Sequence, residues 1–223
     1  PKTPMLPHNL TMTVTGAGML WVGWFGFNGG SALAANGDAA MAMLVTHLSA
    51  SAGALTWAAI EWKKFGKASV LGAVTGMVAG LGTITPASGF VGPGGALIIG
   101  VSAGIICFYS TVYIKQKLKI DDSLDVFPVH GIGGILGTLL AGVFASTELG
   151  AFSGFGYAEG ITTMLGQVTV QLIGIGSTIL YTAVVSYILF KIVSVMTKGL
   201  RVSKEQETTG LDLTEHDEVG YNM

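Results

Sequence analysis

Apolar residues gather into six long blocks along the chain, separated by short joints rich in polar residues, glycine and proline. The blocks lie at about Leu10–Phe27, Ala39–Trp62, Ala68–Thr85, Gly94–Ile114, Leu124–Ala145 and Ile161–Val195. Each is near or above the roughly twenty residues that a helix needs to cross a hydrocarbon core, and the last can tilt, bend or project. None alternates strictly, as a membrane barrel strand would. The first block follows PKTPMLPHN as one unbroken apolar run, so it reads as a span and not as a removable signal. The pattern predicts an all-α integral membrane protein with six transmembrane helices. Residues 1–197 form the transmembrane part and 198–223 a polar tail.

Composition agrees with the pattern. Half the residues are hydrophobic and 11% are charged; mean hydropathy is +0.64, far from a soluble domain of this length. The 34 glycines follow no collagen period and sit among dense apolar residues, as in helices packed backbone to backbone in lipid. A net charge of -2 gives no reason to expect nucleic acid or another polyanion. The one cysteine, Cys107, permits no internal disulfide and belongs to no metal motif.

Lysine and arginine set the orientation. Lys63, Lys64 and Lys67 follow the second block, Lys115, Lys117 and Lys119 the fourth, and Lys198, Arg201 and Lys204 the sixth. The alternate joints GGSALAANGD, PASGFVGP and STELGAFSGFGYAEG carry neither residue. The positive-inside rule places the lysine-bearing joints in the cytoplasm. Six crossings then put both ends of the chain inside, in agreement with Lys2.

Spacing adds packing detail. Gly72, Gly76 and Gly80 recur every fourth residue, as do Gly100 with Gly104 and Gly133 with Gly137, each set leaving a smooth stripe on one helix face. Pro86, Gly92 and Pro93 break the chain between the third and fourth blocks. Asp121, Asp122 and Ser123 stand where a helix start needs caps. Asp122 reads as a cap, and Asp125 either as a first-turn acid or as part of an inner mouth.

Two places carry candidate chemistry. The segment DDSLDVFPVHGIGG leads from acidic residues into an apolar run that holds His130. An ionisable ring within a span marks a candidate pathway residue; the alternative is a histidine satisfied by a nearby hydroxyl or carbonyl. The first block ends in Trp21, Trp24, Phe25 and Phe27, followed by Asn28, Gly29, Gly30 and Ser31. These read either as interfacial anchors with a turn or cap serine, or as a vestibule whose aromatic faces and hydroxyl receive a small cation. The spans contain no HExxH, no paired aspartates and no serine–lysine set, so an enzyme is not expected.

The segments MLWVGWFGFNGGSALAANGDAA, TPASGFVGP, DDSLDVFPVHGIGG and GLRVSKEQETTGLDLTEHDEVGYNM together resemble the Amt/MEP branch of the ammonium transporter family, which also includes Rh proteins. The resemblance covers essentially the whole chain. It implies a channel-like fold of eleven helices, two five-helix inverted repeats plus a long last helix, assembled as a homotrimer in the cell membrane with one pore per subunit. This chain matches the sixth to eleventh helices, and its start at Pro1 fits a missing N-terminal repeat. By the same resemblance His130 matches the second of two pore histidines, Phe27 the second of two gating phenylalanines and Ser31 the vestibule serine. Trp24 and Thr85 match positions lining the outer route. The first histidine and first phenylalanine have no counterpart here, and His47 reads as a packing residue. Ammonium is the implied substrate, with no cofactor and no metal. The tail resembles those that lie on the cytoplasmic face, contact a neighbouring subunit and help receive a GlnK-type signalling protein; the other reading is a solvated terminus. An ammonium sensor of the same family is the alternative function.

Overall fold

A computed structural model describes residues 7–220. Lys2, and with it the expectation drawn from that residue, lies outside the described residues. The six blocks become helices α1 (Leu10–Gly30), α2 (Gly37–Phe65), α3 (Val70–Ile84), α4 (Pro93–Val112), α5 (Gly133–Phe144) and α6 (Met164–Met196). Two wider π-helical turns extend them: Tyr113–Lys117 continues α4, and Phe127–Ile132 leads into α5. Two short helices, α7 (Lys204–Thr209) and α8 (Leu211–His216), follow in the tail. The chain divides into two compact units, Pro1–Ile175 and Gly176–Met223.

Local chemistry accounts for the helix ends. Asn9 and Asn36 accept hydrogen bonds from Met12 N and Ala39 N, capping α1 and α2. Ser69 Oγ accepts from Gly72 N to start α3, and Gly66, at φ 76, ends α2 in the left-handed region open to glycine. Pro93 is the first residue of α4, where its missing N–H costs no hydrogen bond.

The third block departs from expectation. Among the described residues five helices are long and apolar enough to cross a bilayer, but α3 has only 15 residues, about 22 Å at 1.5 Å per residue. Pro86 and the turn after Thr85 stop it. The helix can be short because Gly72, Gly76, Met77, Ala79, Gly80, Leu81, Thr83 and Ile84 are all buried against protein. Such a helix has no need to match the thickness of the lipid.

The glycine stripes make that burial possible. A Cβ at Gly76 would lie 2.5 Å from the Cβ of Trp57 and 2.6 Å from the carbonyl oxygen of Gly53, and one at Gly80 would collide with the Ser49 carbonyl oxygen. Gly100 and Gly104 meet the same face of α2 at Ser49, Ala52 and Thr56, and Gly137 abuts the Thr83 carbonyl. Helices α2, α3, α4 and α5 therefore touch backbone to backbone. Ser49 Oγ adds a hydrogen bond to the Gly80 carbonyl at 2.9 Å. Val45, Ile84, Ala87, Val91, Ala96, Ile99, Ala141 and Phe144 form one apolar core, and Trp57, Ala79, Ala103, Cys107, Phe108 and Val129 a second.

The unit from Gly176 onward is different in kind. The helical part keeps Leu180, Tyr181, Tyr187, Phe190 and Val195 exposed, as suits a helix that meets lipid or another chain. Beyond it, Ser203 and Gln206 form a reciprocal capping box that starts α7. Arg201 pairs with Glu207 at 2.6 Å, and the Gln206 amide donates to Glu215 at 2.7 Å, tying α7 to α8. The tail is thus ordered by its own hydrogen bonds.

Candidate functional site

Helix α1 presents Thr13, Leu20, Trp24 and Phe27 at helical spacing, and α3 presents Leu71, Thr75, Val78, Gly82 and Thr85 likewise. The two helices meet where Ala17, Trp21 and Trp24 pack with Val74, Met77, Val78 and Leu81. At one end, Thr13 lines a cavity of about 350 Å³ with Leu71, Val74, Thr75, Val78, Lys115, Asp125 and His130. At the other, the Trp24 indole N–H donates to Thr85 Oγ1 at 2.7 Å. Thr13 and Trp24 are eleven residues apart, so the seam runs about 16 Å along α1. Gly16, Met19, Leu20, Gly23, Trp24 and Phe27, all on α1, line an open apolar cavity of about 560 Å³.

His130 sits in the middle of the π-helical turn Phe127–Ile132, after the buried residues Pro128 and Val129. Proline supplies no N–H, and π turns of this kind mark functional positions more often than ordinary helix does. The imidazole is exposed on the face that opens onto the seam. A Cβ at Gly82 would come within 3.7 Å of His130 Nδ1, so the ring lies beside α3 one turn before Thr85. A single path of contacts therefore links His130, Gly82, Thr85 and Trp24.

Phe27 continues that path. Its ring centroid is 5.9 Å from that of Trp24, edge to face at 65°. The ring is 63% exposed, so it contacts little else in this chain. The next residue, Asn28, is buried and donates to Thr46 Oγ1 at 2.9 Å, which holds the end of α1 on α2. Ser31 Oγ donates to the Phe27 carbonyl oxygen at 2.8 Å. With its proton committed to the backbone, the exposed Ser31 hydroxyl keeps its lone pairs as acceptors.

The aromatic cluster separates into two roles that sequence alone left together. Trp24 faces α3, whereas Trp21 stacks on His47, with centroids 5.2 Å apart and planes at 28°, and Phe25 tilts against the same imidazole at 5.9 Å. His47, itself exposed, thus lies against two aromatic rings.

The acidic residues occupy the opposite end of the seam. Asp122 accepts from Val126 N at 2.9 Å and Phe127 N at 2.8 Å, capping the turn that carries His130. Asp125 is not a first-turn acid. Its backbone is left-handed at φ 56, ahead of the helical turn, and its carboxylate pairs with Lys115 Nζ at 2.7 Å. Burial pushes this carboxyl above its ordinary value, and Lys115 opposes that rise. In the sequence Lys115 stands out only as one of a basic cluster, and nothing there marks Gly82 or the anchoring role of Asn28. The three are separated in sequence from the residues they place, and no local spacing pairs them.

The chain matches the family model described as the Ammonium Transporter Family over residues 1–221. It is 46% identical over 217 residues to "Ammonium transporter Amt1" of Archaeoglobus fulgidus, covering 96% of this chain and 53% of that one. Among solved structures, Mep2 of Saccharomyces cerevisiae superposes with a TM-score of 0.79 at 37% identity, over 92% of this chain and 47% of the other. A structure titled "Sensor Amt Protein" superposes at 0.83 with 29% identity, over 93% of this chain and 49% of the other. The chain spans about half the length of the relatives it matches. Its all-helical membrane fold, its motifs and their order along the chain make it a member of the ammonium transporter family.

Proposed function

We propose that this chain forms one wall of a transmembrane pore for ammonium and ammonia, and that a preceding repeat supplies the other wall. The carrying observation is the α1–α3 seam, which brings His130, Thr85, Trp24 and Phe27 into one path and leaves His130 and Phe27 exposed. Inverted-repeat transporters place their substrate route at the interface between repeats. An exposed imidazole and an exposed phenyl ring on the same seam are the features such an interface would cover.

Each residue has a chemical task in this reading. Ammonium is a small, strongly hydrated cation, and leaving water for an apolar passage is costly without replacement contacts. The faces of Trp24 and Phe27 attract it, and the Ser31 lone pairs accept its N–H groups. Farther along, desolvation disfavours the charged form, so ammonium gives a proton to water at the mouth and ammonia goes on. His130 then offers a ring nitrogen as a hydrogen-bond partner, alongside the hydroxyls of Thr13 and Thr75 in the same cavity. Potassium has no proton to lose and is rejected. Asp122 and Asp125 shape the inner mouth, with the lysine-bearing joints and both ends of the chain in the cytoplasm of the cell membrane.

The test is reconstitution. This chain alone in liposomes is expected to pass no ammonium, while a complete transporter carrying it, assembled as three copies by native mass measurement, passes ammonium readily. Robust transport by the chain alone, or none by the complete protein, would overturn the reading. The tail offers a second test, because its own helices α7 and α8 suit docking of a GlnK-type signalling protein on the inner face. Truncation after Thr197 in the complete protein is expected to lower flux or remove inhibition by that partner. A truncated protein with unaltered flux and inhibition would make the tail a passive terminus.

A further inference from the structure

The Lys115–Asp125 pair ties the π-helical turn Tyr113–Lys117 to the joint just ahead of the π-helical turn Phe127–Ile132. Both partners are largely withdrawn from water, with side chains 28% and 16% exposed. Both also line the cavity that His130 opens onto. We propose that this ion pair is a positioning latch, which fixes the turn bearing His130 and thereby sets how the imidazole meets substrate. The inference rests on the pore reading above.

The backbone around His130 needs such a tie. The joint between α4 and the His130 turn is irregular, with Lys119 and Asp125 both in the left-handed region at φ 55 and 56. A joint of this kind has no regular ladder to hold its shape. A few specific contacts do so here. The Asp122 carboxylate accepts from Val126 N and Phe127 N. The Asp125 carbonyl accepts from Val129 N at 3.0 Å, one residue before His130. The Asp125 carboxylate is the member of the set that reaches the π-helical end of α4, through Lys115. Asp122 therefore shapes the turn, and Asp125 ties that shape to a helix whose own position is fixed by glycine contacts with α2 at Gly100 and Gly104.

Chemistry favours positioning over direct contact with the cation. The Lys115 ammonium repels ammonium, and its charge is balanced by Asp125, so the pair leaves the mouth nearly neutral. Loss of either partner leaves the other partly buried and uncompensated. The turn would then shift toward water, and His130 with it. A displacement of about 1 Å is enough to lower a geometry-dependent step by tenfold or more.

A double-mutant cycle in the complete transporter tests this. Lys115→Met keeps the apolar stem and removes the charge. Asp125→Asn keeps a residue that tolerates φ near 56 and removes the charge. Initial ammonium flux and discrimination against potassium are measured in proteoliposomes at equal amounts of assembled trimer. Each single change is expected to reduce flux about tenfold in the parent. In a His130→Ala background the same changes are expected to cost less than about twofold, because the group they position is gone. The exchange Lys115→Asp with Asp125→Lys is expected to restore flux in part. Equal losses in both backgrounds, or no loss in the parent, would overturn the latch. His130→Ala that leaves flux and selectivity unchanged would instead overturn the pore reading, so the two failures are distinct.

Discussion

His130→Ala in a complete transporter carrying this sequence is expected to change ammonium flux by about tenfold or more and to weaken the rejection of potassium. Tenfold corresponds to roughly 1.4 kcal/mol, within what one hydrogen bond to a charged or charge-developing group supplies. Folding and assembly should survive, because the imidazole is exposed and lies beside the bare Gly82. Flux and cation selectivity in proteoliposomes read the result. Unchanged uptake together with unchanged discrimination would remove His130 from the pathway. The outer end should respond differently. Ser31→Ala should shift the concentration dependence of uptake, since it removes the acceptor that the proposed vestibule offers the cation. Phe27→Ala should change the maximal flux if, as proposed, its exposed ring borders the route. Identical concentration curves for the parent and Ser31→Ala would reduce Ser31 to a cap that holds the end of α1.

Gly76→Leu is expected to abolish the folded transporter. The first atom added would lie 2.5 Å from Trp57 Cβ and 2.6 Å from the Gly53 carbonyl oxygen. Neither neighbour can swing aside, one being backbone and the other the root of a buried indole. Helices α2 and α3 would have to separate, and the same separation would open the contacts at Gly80 and Gly53. Overpacking typically costs about 1–3 kcal/mol where a core can yield, and more where backbone meets backbone. Yield of monodisperse protein and its thermal unfolding in detergent measure the effect. Gly82→Ala is the control for folding, because its Cβ would find ordinary contact at 3.7 Å. A stable Gly76→Leu protein would show that the stripe is not a packing surface.

Much of the helical architecture was legible because lipid imposes a simple rule. Every backbone polar group in the hydrocarbon must be satisfied within its own helix, so spans show up as uninterrupted apolar runs. The observed α2 and α4 begin and end within a few residues of the blocks read from sequence. Glycine spacing likewise foretold faces of close approach, since a four-residue repeat stays on one side of a helix. The pairing of those faces was not legible: Gly76 could have met any neighbour, and only packing selected Gly53 and Trp57.

The candidate site divides along the same line. Trp21 and Trp24 are the same residue type three positions apart, yet one stacks on His47 and the other bonds Thr85. Their directions differ by only about 60° around the helix, and only the placement of α2 and α3 says what each direction meets. Asp125 could be read from sequence as a first-turn acid, because acids favour helix starts, or as part of an inner mouth. Its left-handed backbone and its partner ten residues upstream came from the irregular joint, which has no periodicity to read.

By itself, then, the chain's pattern of apolar runs determined that it is a helical membrane protein, where its spans lie and which glycine faces approach a neighbour. These follow from interactions that are local in sequence and from the cost of leaving peptide groups unpaired in lipid. Tertiary structure alone decided that α3 is short and enclosed, that Gly82 makes room beside His130, and that Lys115 holds Asp125 at the cavity they share. Each of those depends on contacts between residues far apart in the chain or across an irregular turn, where side-chain direction is set by packing and no repeat in the sequence encodes it.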